Sequence, residues 1–163
     1  MRVGIGYDIH RLRKGRRLVL GGVAIPSPVG LEGHSDADAV LHAVADAILG
    51  AAALGDLGDH FPDDSKEWRD ADSSAILSRA VEMAAAKALT VSNVDVNIIA
   101  QTPRIGHLKG QMRANIARLV GTHPDRVSVK ARTAEGLGPV GRAEAIEVHA
   151  AVLMDEREPD ANR

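Results

Sequence analysis

Cysteine is absent from the chain. That excludes disulfides and thiolate zinc sites, so a bound metal has to take histidine and carboxylate ligands. Aromatic residues are nearly absent too, with Tyr7, Phe61 and Trp68 as the full set. Since 45% of the residues are apolar, the core must be built from alanine, valine, leucine and isoleucine. No apolar run approaches the roughly 20 residues of a membrane span. No signal-peptide pattern precedes "MRVGIGYD", which reads at once as a strand. The expectation is a cytoplasmic protein with no membrane partner. A net charge of −2 without any broad basic field gives nucleic-acid binding no support. At 163 residues the chain can hold one sizeable core. A single domain over residues 1–155 is expected, and the charged, aperiodic tail 156–163 reads as frayed.

What is present is patterning. Val3, Ile5, Tyr7 and Ile9 alternate as in a strand, and Asp8 and His10 share its other face. That pair is an oxygen and nitrogen donor set on a rigid element. It reads either as metal ligands or as a solvated polar face. "RLRKGRR" reads as a basic loop, "LVLGGVAIP" as a hairpin turning at Gly21-Gly22, and "SPVGLEGHS" as a loop. "SDADAVLHAVADAILGAAALG" is the strongest helix signal. Ser35 is its expected N-cap, with Asp38 completing a capping-box-like pattern and Asp36 and Asp38 in the first turn. Leu41, Val44, Ala45, Ile48 and Leu49 form its expected apolar stripe.

A long polar loop, "GDLGDHFPDDSKEWRDAD", leads to a second helix capped by Asp72 or Ser73. "VSNVDVNIIAQ" alternates as a strand, with Val94, Val96, Ile98 and Ala100 on one face. "GHLKGQMRANIARLVG" reads as a helix closed by Gly121. "DRVSVKART" and "AEAIEVHAAVLM" are the last strands, joined by the glycine-rich "AEGLGPVGR". This order predicts an α/β (α+β) sandwich, a mixed β-sheet with helices on one face. Ile146, Val148 and Val152 alternate with Ala145, Glu147, His149 and Leu153, so the last strand asks for cover on both sides. Another copy of the chain is the natural cover for the face without helices.

His42 stands one helical turn from both Asp38 and Asp46, so the three share a stripe. With Asp8 and His10 it would complete a two-histidine, one-carboxylate set, which leaves an open position as in catalytic zinc sites. A phosphate oxygen could fill that position, and His34 and Ser35, read at a helix N-terminus, favour an anion. Asp56, Asp59, Asp63 and Asp64 gather in one loop, and Thr133 and Glu135 in another. Acids in loops are commonly turn residues. Glycines beside Thr133 and Glu135 would nevertheless admit a phosphate and a hard cation such as Mg²⁺. Read alone, the residues reach metal-assisted phosphate or diphosphate chemistry.

"RVGIGYDIHRL", "LEGHSDADAVLHAVADAILGAAALGDLGDHFPD", "NVDVNIIAQTP" and "VSVKARTAEGLGPVGRAEAI" run from Arg2 to about Met154. Their combined D-x-H, H-S-D-x-D-x-x-x-H and K-A-x-T-x-E pattern resembles the 2-C-methyl-D-erythritol 2,4-cyclodiphosphate synthase family of the non-mevalonate isoprenoid pathway. The resemblance implies a phosphorus–oxygen lyase, a homotrimer whose sheets pack around a three-fold axis with active sites at subunit interfaces. Its substrate would be 4-diphosphocytidyl-2-C-methyl-D-erythritol 2-phosphate, whose 2-phosphate attacks its own β-phosphate and releases CMP. By the same implication Asp8, His10 and His42 bind one zinc per subunit, and Glu135 binds a second divalent cation, Mg²⁺ or Mn²⁺. His34, Ser35 and Asp63 would hold the erythritol phosphate, and Asp56 and Gly58 the ribose or erythritol end. From a neighbouring subunit, Ala100, Gln101, Thr102, Pro103, Arg104, Ile105 and Gly106, with Ala131, would hold cytosine through backbone groups. Arg132 and Thr133 would contact the diphosphate, and Thr133 would act with Glu135 in catalysis.

The chain departs from the family at Arg132, where threonine is common, and at Pro139, where an aromatic residue is common. Arg142 and Glu144 are kept. The family associates them with a cavity on the trimer axis, and Arg142 is thereby a candidate ligand-binding residue. Two other readings use the same residues. A zinc phosphohydrolase would release free phosphate, and a trimeric metal- and nucleotide-binding module would bind cytidine nucleotides without turnover. The joint presence of "GHSDAD" and "KARTAE" favours the cyclising enzyme.

Overall fold

The computed structural model describes residues 1–33, 35–62 and 72–156. His34, Asp63, Asp64, Trp68 and the tail from 157 onward lie outside the described residues. The strands are β1 (Arg2–Lys14), β2 (Leu18–Leu20), β3 (Val23–Ile25), β4 (Val29–Leu31), β5 (Leu89–Ile99), β6 (Val127–Arg132) and β7 (Ala145–Glu156). The helices are α1 (Ala39–Ala51), α2 (Leu57–His60), α3 (Ser73–Ala85), α4 (Lys109–Val120) and α5 (Gly138–Gly141). A five-stranded sheet runs in the order β4-β1-β7-β5-β6, and β2 and β3 form a separate hairpin. β5 and β6 are parallel and the other pairings in the main sheet are antiparallel, so the sheet is mixed. The parallel pair needs a crossover, and α4 supplies it. Gly121 closes α4 at φ 72°, in the left-handed region that glycine adopts without a side-chain clash.

Helix α1 lies across β1, β7 and β5 and is covered in turn by α3. Between two layers, one apolar stripe does not suffice. Ala39, Val40, Ala43, Ala47 and Ala51 are buried together with the expected Leu41, Val44, Ala45, Ile48 and Leu49. Its N-cap is Asp38, where Ser35 was expected. The reason is local: Ala37 sits at φ 56°, a left-handed conformation that breaks the helix before it can reach Ser35. Asp36 therefore lies ahead of the helix and not in its first turn. The Asp38 carboxylate is fully buried and accepts from the N–H groups of Gly21 at 2.8 Å, Gly22 at 2.7 Å, and Val40 and Leu41 at 3.1 Å each. It thus joins the β2–β3 turn to the start of α1. Burial pushes its pKa up, and the backbone donors pull against that.

Three further expectations are revised. The basic loop after the first strand is strand through Lys14, because Leu12, Arg13 and Lys14 pair with β4, itself within a stretch expected to be loop. The polar loop after α1 contains α2, held by a reciprocal capping box between Asp56 and Asp59. The glycine-rich turn before β7 contains the short α5, with Pro139 in its first turn, where its missing N–H costs nothing.

The helix-facing side of β1 carries Gly4 and Gly6, not apolar side chains. A Cβ on Gly4 would stand 1.9 Å from the Ala47 carbonyl oxygen, and one on Gly6 would stand 2.0 Å from that of Ala43. The strand backbone therefore lies directly on α1. On the opposite face Val3, Ile5, Tyr7 and Ile9 are exposed, at 71%, 80%, 51% and 41%. The apolar face in need of a second cover was expected on the last strand, β7. It lies on β1, because the corresponding face of β7 carries Glu147 and His149, paired at 2.7 Å, and that of β5 carries Asp95, paired with Lys130 at 2.5 Å. Among the described residues no helix is long and apolar enough to cross a membrane.

Candidate metal centre

The glycine contact between β1 and α1 carries Asp8, two residues beyond Gly6, to the His42 face of α1. Asp8 Oδ2 lies 3.1 Å from His42 Nδ1 and 3.0 Å from His10 Nε2. One ligand atom from each of the three lies within 4.8 Å of those from the other two. Tetrahedral zinc, with metal–nitrogen bonds of about 2.0–2.1 Å, sets its ligands at comparable separations, so the donor set fits such an ion. Among the described residues this is the sole such group of histidines and acids. Burial alone would raise the Asp8 pKa, but hydrogen bonds and charge from His10 and His42 outweigh it and hold the carboxyl down at about 2.

Each imidazole has a second partner. His10 Nδ1 is 2.7 Å from the Glu32 carbonyl oxygen, which can only accept, so Nδ1 carries a proton and Nε2, on the Asp8 side, is the nitrogen that would offer its lone pair to a metal. His42 Nε2 is 2.9 Å from Ser73 Oγ and 3.4 Å from Ser35 Oγ. Arg16 donates to the carbonyls of Leu31 at 3.3 Å, Gly33 at 3.0 Å and Ser35 at 3.2 Å, which holds the loop beside the cluster. The donors open into a cavity of about 500 Å³, lined also by Gly33, Ser35, Leu57, Gly58, Phe61, Pro62 and Ile76. Of the residues expected here, Ser35 and Gly58 line the cavity. Asp56 does not, as its carboxylate accepts from the Asp59 N–H at 3.1 Å to cap α2. His34 and Asp63 fall outside the described residues.

A second cavity, of about 370 Å³, is lined by Ala100, Gln101, Pro103, Arg104, Ile105, Gly106, His107, Ala131, Arg132 and Thr133. It shares no lining residue with the first. All of these except His107 were singled out in the sequence; Thr102 adjoins the cavity without lining it. At its edge Thr133 Oγ1 donates to Glu135 Oε1 at 2.7 Å. Glu135 holds φ 50°, a strained conformation for a residue with a side chain. Glu135 thus stands apart from the Asp8 cluster. Arg142 lines neither cavity. Its Nε donates to Glu144 Oε1 at 2.7 Å on the exposed surface.

The sequence reading missed Glu32, Asp36, Ser73 and Arg16 as partners of the site. Ser73 had been read as a possible helix cap and Asp36 as a first-turn acid, and Glu32 acts through a carbonyl that every residue type offers. Leu57, Phe61, Pro62 and Ile76 were missed as lining because apolar side chains carry no chemical signal of their own.

Comparison with known proteins places this geometry in context. The YgbB family model matches residues 1–155. The 2-C-methyl-D-erythritol 2,4-cyclodiphosphate synthase of Syntrophomonas wolfei is 54% identical over 157 residues, covering 96% of this chain and 99% of that protein. Among solved structures, the bifunctional IspDF from Campylobacter jejuni superposes with a TM-score of 0.92 at 36% identity over 96% of this chain. This chain spans only 42% of that longer protein. IspF of Plasmodium falciparum, solved as a CDP complex, superposes with a TM-score of 0.84 at 35% identity, covering 96% of this chain and 97% of that one.

Proposed function

This chain belongs to the YgbB family, and from that premise we propose how its two cavities serve one reaction. The chain is an enzyme of the non-mevalonate isoprenoid pathway, a lyase that converts 4-diphosphocytidyl-2-C-methyl-D-erythritol 2-phosphate to 2-C-methyl-D-erythritol 2,4-cyclodiphosphate and CMP. An oxygen of the 2-phosphate forms the new bond to the β-phosphorus, and the bond from that phosphorus to the CMP oxygen breaks. Nucleophile and electrophile sit in one molecule, so no side-chain nucleophile is required and the task is alignment and charge neutralisation.

Asp8, His10 and His42 supply the donors for a zinc ion. When bound, such an ion neutralises phosphate charge as a Lewis acid. Ser35, with His34 and Asp63, holds the erythritol phosphate, and Asp56 and Gly58 the sugar end. The Ala100–Gly106 stretch and Ala131 cradle the cytosine through backbone groups, and most of them line the second cavity. Arg132 and Thr133 meet the diphosphate. Glu135, all oxygen and exposed, suits a hard second cation, Mg²⁺ or Mn²⁺. Arg142 and Glu144 border an axial cavity.

The two cavities share no lining residue, and one face of β1 is apolar and uncovered. Both observations support a homotrimer in which the metal cavity of one copy meets the cytidine cavity of the next. One domain spans residues 1–155, and the reaction belongs in the cytoplasm. The observation that carries the reading is the Asp8–His10–His42 cluster opening into a cavity. Incubation with the diphosphocytidyl substrate and Mg²⁺, followed by phosphorus NMR, should show CMP and the cyclic diphosphate growing together. Release of inorganic phosphate instead would make the chain a hydrolase.

A further inference from the structure

Metal binding through His42 Nδ1 demands that this atom carry a lone pair, so the ring proton must sit on Nε2. Nothing in the Asp8 contact ensures this, because a carboxylate accepts and would favour a proton on Nδ1 when no metal is present. The opposing control lies on the other side of the ring. Ser73 Oγ is 2.9 Å from His42 Nε2. The Ser73 hydroxyl donates to Asp36 Oδ1 through a short hydrogen bond. A hydroxyl has one proton, and an ionised carboxylate can only accept it. Ser73 Oγ is thereby left as an acceptor, and its partner at Nε2 must be the donor. Ser73 is fully buried, so bulk water offers no competing partner. The neighbouring Ser35 hydroxyl is farther, at 3.4 Å, and already accepts from the Ala37 N–H at 3.0 Å.

We propose that the Asp36–Ser73 pair is a tautomer lock that keeps the His42 ring proton on Nε2 and so makes Nδ1 a metal ligand. Both are positioning residues: neither side chain belongs to the three-donor cluster, and Asp36 acts on His42 only through Ser73. The pair comes from two segments far apart in sequence, the turn before α1 and the first residue of α3, so docking of α3 completes the metal site. The proposal rests on the reading of Asp8, His10 and His42 as a metal centre.

The test uses zinc alone, titrated into the metal-free full chain against a chelator, together with nitrogen-15 NMR of the imidazoles. Ser73→Ala should weaken zinc binding about 10- to 100-fold, the usual cost of losing an outer partner of a ligating histidine. Ser73→Thr, which keeps the hydroxyl, should restore binding to within about threefold on the same scale. Asp36→Ala is the sharper variant. With no carboxylate to receive it, the Ser73 proton can turn to His42 Nε2 and move the ring proton to Nδ1. In the metal-free wild type His42 should keep a proton on Nε2, whereas the metal-free variant should lose it there and carry its proton on Nδ1, toward Asp8. Wild-type zinc affinity in both Ser73→Ala and Asp36→Ala, with His42 still protonated at Nε2, overturns the lock. Wild-type protein that binds no zinc overturns the metal reading, while the tautomer spectra still decide whether the pair governs the ring.

Discussion

The two cavities of this chain are built in opposite ways. The first is made of side chains with distinctive chemistry, each held from two sides. Asp8 meets both imidazoles, His10 is fixed by the Glu32 carbonyl, and His42 is fixed by Ser73. The second lacks such a cluster and mixes small or apolar residues with the polar Gln101, Arg104, His107, Arg132 and Thr133. Ala100, Pro103, Ile105, Gly106 and Ala131 offer shape and backbone groups, and the nearby Thr133 and Glu135 bond chiefly to each other. One cavity selects an ion and therefore needs a rigid, pre-arranged shell. The other would receive a flat base and needs shape and scattered polar groups more than a fixed donor set.

The largest effect on this contrast should come from Gly6→Val. Its Cβ would collide with the Ala43 carbonyl, a backbone atom with no room to move, and would force β1 off α1. Loss of more than about 4 kcal/mol of stability is expected, read by chemical denaturation, with zinc binding lost alongside. The comparison blurs if Gly6→Val folds and still binds zinc.

His42→Ala should leave the fold intact, since the ring lies at the cavity wall, but remove stoichiometric zinc. Turnover should fall at least about a thousandfold, as expected when several kcal/mol of charge stabilisation are lost. Zinc analysis of the purified variant beside its circular dichroism spectrum checks both halves of the statement.

Mixing separates the cavities physically. Ala131→Trp should fill the second cavity and inactivate the enzyme with zinc retained. Equal mixing of His42→Ala and Ala131→Trp chains, unfolded and refolded together, should return about one quarter of wild-type activity, the statistical share of interfaces with two intact halves in a closed ring. No recovery would mean that both cavities act within one chain.

Glu135→Gln is expected to do less. It should slow turnover about tenfold at a fixed Mg²⁺ concentration, within the range of a lost cation ligand's outer effects, and leave zinc content unchanged. A Mg²⁺ titration identical to that of the wild type would remove Glu135 from the site.

The last effect is on stability in acid. The Asp8 carboxyl is held at about 2 in the folded chain against an ordinary value of 3.8. Its stabilisation is therefore complete above pH 3.8 and is lost as the pH falls toward 2. At about 1.4 kcal/mol per unit, the metal-free chain should lose about 2 kcal/mol across that window, and Asp8→Asn should lose that much less. Denaturation curves that run parallel for the two proteins would show that the histidines do not hold Asp8 in its charged form.

Much of the fold was legible because its signals are periodic. The alternation at Val94–Ala100 and the helix closed by Gly121 follow from side-chain spacing alone, and both are present. The three metal-cluster residues were legible as candidates from their donor types, but spacing left Asp8 and His10 open between ligands and a solvated face, and the structure is what brings His42 to them. What escaped detection has no period. The capping role of Asp38 depends on the left-handed Ala37, and the burial of Gly4 and Gly6 depends on a helix that packs from far along the chain. The α2 turn was hidden in a stretch whose acids look like loop acids, which Asp56 and Asp59 become helix caps only by bonding to each other. The uncovered face was assigned to β7 on apolar content, but the Glu147–His149 pair makes that face polar.

On α1, Asp38, His42 and Asp46 stand one turn apart, and each is tied to a different part of the chain. Asp38 holds the hairpin turn, His42 reaches β1 and α3, and Asp46 accepts from the Leu57 N–H of α2 at 3.2 Å. A slide of this helix by one residue would break all these ties at once. Local opening at His42 is thus as costly as opening the whole molecule, and its amide proton should exchange with deuterium only through global unfolding. Among the described residues, the amides from Gln101 to Gly106 have no such ties, and they should exchange through small local fluctuations, orders of magnitude sooner.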